Sequence, residues 1–190
     1  MKKLSIVAFL LLVAVQWYVT LDMIRSHQNI LLYGDVVTFQ ITPFWLQGVP
    51  QSDVLQVSIQ QNEIKISDVD RFSSGMDVYV HFEPDENGIL APVHVLKNRP
   101  ESGHFLKSRI IFVDEYASSI TVSYPQLRYV FPKHDVQAWD IPLTKPFLEG
   151  TSVFLAEAKL FEGNAIVTHI SIDGMSLLEY FGGKGGDISD

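Results

Sequence analysis

A continuous apolar segment near the start of the chain constrains the fold more than any other feature. Lys2 and Lys3 precede the run 4–21, which contains few polar residues. As a helix this run would be about 27 Å long, close to the hydrocarbon thickness of a bilayer. We therefore expect a transmembrane signal anchor over residues 4–21.

A cleaved signal peptide is the alternative interpretation of the same segment. Its cleavage site needs two small residues in an A-x-A-like pattern, and Val13-Ala14-Val15 and Ala14-Val15-Gln16 each lack one. The basic pair favours a cytoplasmic location for residues 1–3, and Trp17-Tyr18 suit the opposite interface. The sequence predicts an uncleaved single-pass protein whose later residues are periplasmic or extracellular.

Composition limits the partners of the remaining residues. The chain has 190 residues, a net charge of −8 and no basic cluster, which argues against binding to nucleic acid or anionic lipid. It has no cysteine, so disulfides, thiolate nucleophiles and Cys-based zinc sites are excluded, and a bacterial envelope suits such a domain. Composition leaves proteins, sugars or cations as partners, and no cofactor or metal is expected. For a domain held at a membrane by residues 4–21, the expected partner is an integral membrane protein.

The chain beyond the anchor is dominated by strand patterns. Short segments rich in β-branched and aromatic residues alternate with Gly, Pro, Asn or Asp, and they predict a mainly β domain, a sandwich or partly closed barrel. The nine predicted strands are Val36–Ile41, Val54–Ile59, Met76–Phe82, Ile89–Leu96, Phe105–Val113, Ile120–Tyr124, Leu127–Phe131, Ser152–Leu160 and Ala165–Ile172.

The domain organisation follows from these patterns. One β-rich domain is expected over 22–181, and the Gly-rich segment 182–190 is expected to be a flexible tail. Residues after Leu21 should continue the helix for a turn or two before Gly34 ends it. A helical turn is expected near 132–139, where a proline opens the segment.

Two hairpins can be predicted, and the first has a possible chemical consequence. Glu162-Gly163-Asn164 should join one strand pair. A two-residue Asn87-Gly88 loop would pair Glu86 with Ile89, and it would then place His81 directly opposite His94. Glu83 and Tyr79 share that face, so a His/His/Glu cation site can be drawn there. A solvated polar face is the favoured interpretation, because nothing in the sequence supplies supporting ligand contacts.

Several segments follow one another in a definite order along the chain. An early strand from Gly34 leads through a Pro-containing loop to Ser52-Asp53-Val54-Leu55-Gln56-Val57-Ser58-Ile59. Further along lie Phe105–Arg109, Arg128–Pro132 and Ala165–Gly174. In this order and spacing the segments resemble the GDYXXLXY family of bacterial membrane-anchored proteins, whose motif is degenerate here because only Asp53 keeps the family's residue.

The resemblance implies a membrane segment, an extracytoplasmic β-rich domain and an association with multi-pass membrane proteins, without an established activity. Asp53 could be a functional carboxylate, but a role in closing the turn into the next strand is favoured. We expect no catalytic, cofactor-binding or metal-binding residue.

Three functions remain open at the level of sequence. The first is a non-enzymatic accessory or protein-interaction module held at the membrane. The second is a Ser-Lys hydrolase of signal-peptidase-like architecture, in which Lys107 would serve as base and Ser52 as nucleophile. The third is carbohydrate binding through Trp45, Trp139 or Tyr129, although such rings usually belong to the core.

Overall fold

The computed structural model describes residues 2–44, 54–130 and 152–182. Within these ranges the chain forms a long N-terminal helix, eleven strands, a short 3-10 helix at Val69–Arg71 and a short C-terminal helix. The helices are α1 (Lys2–Tyr33) and α2 (Leu177–Gly182), and the strands are β1 (Asp35–Phe44), β2 (Val54–Ile59), β3 (Glu63–Lys65), β4 (Asp77–Pro84), β5 (Ile89–Leu96), β6 (His104–Asp114), β7 (Ser119–Ser123), β8 (Leu127–Val130), β9 (Phe154–Phe161), β10 (Asn164–Ile172) and β11 (Met175–Ser176).

Helix α1 extends further than a turn or two past the apolar run. Residues 22–29, which are polar apart from Met23 and Ile24, continue it without a break, and it ends before Gly34, whose N–H donates to the carbonyl of Ile30 at 2.9 Å. Any Cβ at Gly34 would clash with that same carbonyl oxygen, so glycine is needed at this close approach. In the part of the chain that the structure describes, no helix meets the combined length and hydropathy of a membrane span.

The strands form one open, mixed sheet. Its order is β11-β10-β9-β1-β5-β4-β6-β7-β3, and β2 joins β1 beyond the short parallel contact with β5. β8 then pairs with β2. The predicted mainly β class is confirmed, and the nine predicted strands correspond to β1, β2 and β4 to β10. β3 and β11 were not predicted, because strands of three and two residues are too short to show an alternation of apolar and polar residues.

The core lies on one face of the curved sheet. Alternate residues of β4 and β6 are buried, as the period of two requires. Phe39 and Phe82 meet edge to face with ring centroids 5.3 Å apart. Both rings are almost completely buried, and they join β1 to β4 at the centre of the domain.

The β9–β10 hairpin was predicted, and the structure confirms it. Phe161 pairs with Asn164, and the two loop residues Glu162 and Gly163 have φ angles of 52° and 82°. Two consecutive positive φ values are typical of a type I′ turn, which matches the twist of the flanking strands.

The loop predicted for β4–β5 is wrong by one residue. Asp85 and Ile89 close it through a 2.8 Å backbone hydrogen bond, which leaves the three-residue loop 86–88 with Gly88 at φ 77°. The Asp85 carboxylate holds this turn by accepting hydrogen bonds from the N–H groups of Asn87 and Ile89. Glu86 therefore lies in the loop and does not pair with Ile89.

Other predictions fall at the limits of the described chain. The helical turn expected near 132–139 lies outside the described residues. Gly182, predicted to begin the Gly-rich tail, is the last residue of α2, and the rest of that predicted tail, 183–190, lies outside the described residues.

Candidate functional site

His81 and His94 face each other across β4 and β5, as predicted. Their rings are nearly parallel, with centroids 6.4 Å apart. A bulge at Val93 restores the register that the longer loop had shifted, so the pairing is correct although the predicted loop is wrong. The bulged residue Val93 is only half-buried.

The histidine pair does not form a metal site with a third ligand. Among the described residues, no three His, Asp or Glu side chains are grouped closely enough to hold a cation. The backbone at Gly103 passes next to Nε2 of His81, where a Cβ at Gly103 would collide with that nitrogen. His81 is therefore packed against the chain leading into β6, and the His/His/Glu site drawn from the sequence is not assembled.

Lys107, the base of the hydrolase interpretation, lies in β6 with an exposed side chain. Its backbone N–H donates to the carbonyl of Gly163 at 3.1 Å. No serine among the described residues hydrogen-bonds to Lys107, and Ser52 lies outside the described residues. Among the described residues, Lys107 therefore has no hydroxyl nucleophile in contact with it, and that contact is what Ser-Lys chemistry requires.

Of the candidate residues for carbohydrate binding and the candidate carboxylate Asp53, only Tyr129 lies within the described residues. Tyr129 is 8 % exposed in β8, so its ring is part of the core and is not a platform for carbohydrate, which corrects that expectation. Asp53, Trp45 and Trp139 lie outside the described residues. The strand predicted over Val54–Ile59, which follows Asp53 in the sequence, is β2.

The last turn of α1 is the part of the helix that contacts the sheet. Ile30 is 7 % exposed, and the Tyr33 ring lies 6.2 Å from the Phe161 ring in β9. The Lys159 ammonium donates a hydrogen bond to the carbonyl oxygen of Leu31. These contacts fasten one end of the helix to β9, and we call them the helix clamp.

Between residues 9 and 24, α1 presents large apolar side chains to its surroundings. Phe9, Trp17 and Tyr18 are 64 %, 66 % and 71 % exposed. The other exposed apolar residues of this part of the helix are Leu11, Leu12, Val15, Val19, Leu21, Met23 and Ile24. At 100° per residue these positions occupy all sides of the helix, so no single face accounts for them.

A groove of about 470 Å³ lies where β3 and β5 approach each other. One wall is formed by residues 65–68 with Arg71 and Phe72, and the other wall by 93–97. The Lys97 ammonium lies 5.5 Å from the centroid of the Phe72 ring, within the range of a cation–π contact. We call this feature the β3–β5 groove. Sequence reasoning missed it because its two walls are about 30 residues apart along the chain.

The charges of the β3–β5 groove differ in sign from those of the whole chain. Its lining contains Lys65, Arg71 and Lys97 against one carboxylate, Asp68, which is a balance of +2 in a protein of net charge −8. Asp68 is 3.4 Å from Arg71, and both side chains are largely exposed. Exposed pairs of this kind contribute little to stability, so the cations remain accessible to an anionic ligand.

Comparison of the chain with known protein families, curated proteins and solved structures finds no match. The resemblance to the GDYXXLXY family therefore stays a prediction.

Proposed function

We propose that this protein is a non-enzymatic accessory module that α1 anchors in the bacterial cytoplasmic membrane. Its β domain would face the periplasm or the exterior and bind an integral membrane protein. The observation that carries the proposal is the exposure of apolar side chains on all sides of α1 between residues 9 and 24.

Exposure of these apolar side chains to water has a large free-energy cost. Transfer of a large aliphatic or aromatic side chain from water to an apolar phase is favourable by about 1.5–3 kcal/mol. Phe9, Leu12 and Trp17 are among about ten such side chains on α1, so the helix in water would be strongly unfavourable. A bilayer surrounds a helix on every side, which is what an apolar surface without a polar face requires.

Segment 22–29 sets the distance between the apolar run and the β domain. It is helical, and at 1.5 Å per residue it separates Leu21 from Ile30 by about 13 Å. Asp22, Arg25 and His27 in this segment suit the headgroup region more than the hydrocarbon core. The β domain would then lie just outside the headgroups and would be held there by a continuous helix.

Membrane attachment also fits an accessory role. A partner confined to the same membrane meets the domain at a high effective concentration, so a weak contact surface is sufficient. The family resemblance, with its association with multi-pass membrane proteins, supports the same kind of partner. The exposed position of Lys107 gives no support to the alternative Ser-Lys hydrolase.

The first test is membrane attachment of the full-length chain. We expect wild-type protein to stay with membranes after an alkaline carbonate wash, and Leu12→Asp/Val15→Asp to lose that attachment. His27→Asp/Asn29→Asp adds the same charges in the polar segment and is the matched control, which should remain attached. Wild-type protein that is soluble after cell lysis would contradict the proposal.

The second test concerns the partner and the orientation. A C-terminal reporter active only outside the cytoplasm should be active in the full-length fusion. Detergent extracts should yield an integral membrane protein cross-linked to the β domain. Recovery of the chain alone after cross-linking in intact cells would remove the accessory role while leaving the membrane anchor in place.

A further inference from the structure

We infer that the β3–β5 groove binds an extended acidic peptide segment of a partner protein. This inference deepens the proposed function, because it identifies the surface and the chemistry of the contact. Three observations carry it: the charge of the lining, the unpaired strand edges along its walls, and the apolar side chains between them.

The charge of the lining selects an anionic ligand. Lys65 extends from the last residue of β3 and Lys97 follows the end of β5, so the two cations lie on opposite walls. Neither lysine forms an ion pair with a carboxylate among the described residues, whereas Arg71 forms an ion pair with Asp68. A carboxylate-bearing ligand between the walls would gain attraction from both lysines, in a region where the overall negative charge of the protein is locally reversed.

The strand edges favour a peptide over a small anion. β5 pairs with β1 only at Ile89 and Leu90, so on that side the stretch 91–96 has no strand partner among the described residues. β3 pairs with β7, and no backbone pairing joins β3 to β5. An extended backbone can pair with strand edges of this kind, except at Pro92, which has no N–H.

The apolar lining supplies contacts that a headgroup or a phosphate would leave unused. Ile66, Phe72 and Val93 form part of the lining, and all three are only half-buried. An extended peptide directs alternate side chains to opposite sides, so acidic and apolar residues in alternation would meet the lysines and these side chains respectively. The groove is therefore suited to a short acidic-apolar segment.

The experiment uses the full-length protein in an uncharged detergent and measures fluorescence anisotropy of labelled peptides. The probe is an alternating Glu–Val octapeptide, compared with an alternating Lys–Val octapeptide and with a Glu–Val octapeptide N-methylated at alternate residues. We expect the acidic peptide to bind, the basic peptide to fail, and N-methylation to weaken binding by about tenfold, because it removes the donors that pair with a strand edge.

Charge reversal identifies the surface. Lys65→Glu/Lys97→Glu should lower affinity for the acidic peptide by about tenfold or more, whereas the control Lys107→Glu/Arg128→Glu changes net charge equally and should stay within about twofold. Circular dichroism establishes that each variant is folded. Equal losses in the two double variants would reduce the effect to net charge and overturn the inference.

Two further outcomes would also overturn it. Unchanged affinity after N-methylation would show that strand pairing is not used. Lys65-dependent and Lys97-dependent binding to phosphatidylglycerol vesicles, without binding to the acidic peptide, would assign the groove to lipid headgroups. Because the peptide measurement is made in detergent, its failure is distinguishable from failure of membrane attachment in the proposed function.

Discussion

The ammonium of Lys159 in β9 donates a hydrogen bond to the backbone carbonyl of Leu31 in the last turn of α1. The last carbonyls of a helix have no partner within it, and they carry partial negative charge. Lys159 satisfies one of them and places a positive charge where the helix dipole favours it. Two segments separated by 128 residues are joined in this way.

Removal of this ammonium tests the helix clamp. Lys159→Met keeps the length of the side chain but loses the hydrogen bond, and we expect it to reduce the free energy of unfolding by about 1 kcal/mol. Lys107→Met, on an exposed position of β6, is the control and should have a smaller effect. Urea unfolding of both variants in detergent measures the difference. Equal effects would contradict the role given to Lys159.

Ile30 makes the apolar part of the same clamp. Ile30→Ala should reduce the free energy of unfolding by about 2 kcal/mol, because the deleted atoms leave a space between α1 and the sheet. Leu32→Ala is a neighbouring control with the side chain 71 % exposed, and it should change stability by less than about 0.5 kcal/mol. Limited proteolysis should also cut near Gly34 faster in Ile30→Ala alone.

The turn of the β9–β10 hairpin contacts β6, and glycine is required there for two reasons. Gly163 has a φ of 82°, and a Cβ at this residue would lie 3.2 Å from a ring carbon of Phe105. We expect Gly163→Ala to be less stable than wild type by about 2 kcal/mol.

Gly88→Ala separates the two reasons. Gly88 has a similar φ of 77° with no atom near the added Cβ, so this variant measures the backbone cost alone. Thermal unfolding should show a smaller loss for Gly88→Ala than for Gly163→Ala. A loss as large as that of Gly163→Ala would mean that the contact with Phe105 does not contribute.

Helix α2 begins with a capping box. The Glu179 carboxylate accepts hydrogen bonds from the N–H and hydroxyl of Ser176 at 3.0 and 2.8 Å, and its own N–H donates to that hydroxyl at 3.1 Å. The hydrogen bonds from Ser176 lower the pKa of Glu179 below its usual value. The folded protein therefore holds this group ionised more strongly than the unfolded chain does.

The ionised Glu179 side chain stabilises the folded protein in a pH-dependent way. Its contribution to stability is fully present above the ordinary pKa of about 4.5, and it is lost as the pH falls through the lower pKa of the folded protein. Glu179→Gln should therefore have a lower Tm than wild type at pH 7, and the difference should disappear in acid. Glu86→Gln, which removes one carboxylate from the exposed loop 86–88, is the control and should have the Tm of wild type at pH 7.

Asp77 and Arg109 should add to the same acid dependence. Their side chains form a 2.8 Å hydrogen-bonded ion pair, which lowers the pKa of Asp77. Asp77→Asn should lose stability at neutral pH and lose less as the carboxylate of the wild type becomes protonated. An increase in stability of wild type between pH 5 and pH 3 would contradict both assignments.

Sequence patterns predicted the strands well because each strand carries its own alternation of buried and exposed residues. The facing of His81 and His94 was predicted correctly through two deviations that cancel. The loop contains one more residue than predicted, and the bulge at Val93 contains the compensating residue. A turn type and a bulge depend on local backbone energies that alternation does not encode.

The β3–β5 groove and the helix clamp could not be predicted from sequence. Lys65 and Lys97 line one groove only because the sheet curves and brings β3 close to β5. Leu31 contacts Lys159 only because β9 pairs with β1, the strand that follows α1. Such contacts depend on the order of strands in the sheet. Composition in fact predicted no basic cluster, because the cations of the groove are dispersed along the chain.

The continuity of α1 up to Tyr33 has a rotational consequence. A helix turns by about 100° for each residue, so the number of residues between Leu21 and Ile30 sets the direction in which every surface of the sheet faces. One inserted alanine among residues 22–29 would move the sheet only about 1.5 Å further from residues 4–21, but it would rotate the β3–β5 groove about the helix axis by more than a quarter of a circle. The length of segment 22–29 therefore sets the direction in which the groove faces, as well as its distance from residues 4–21.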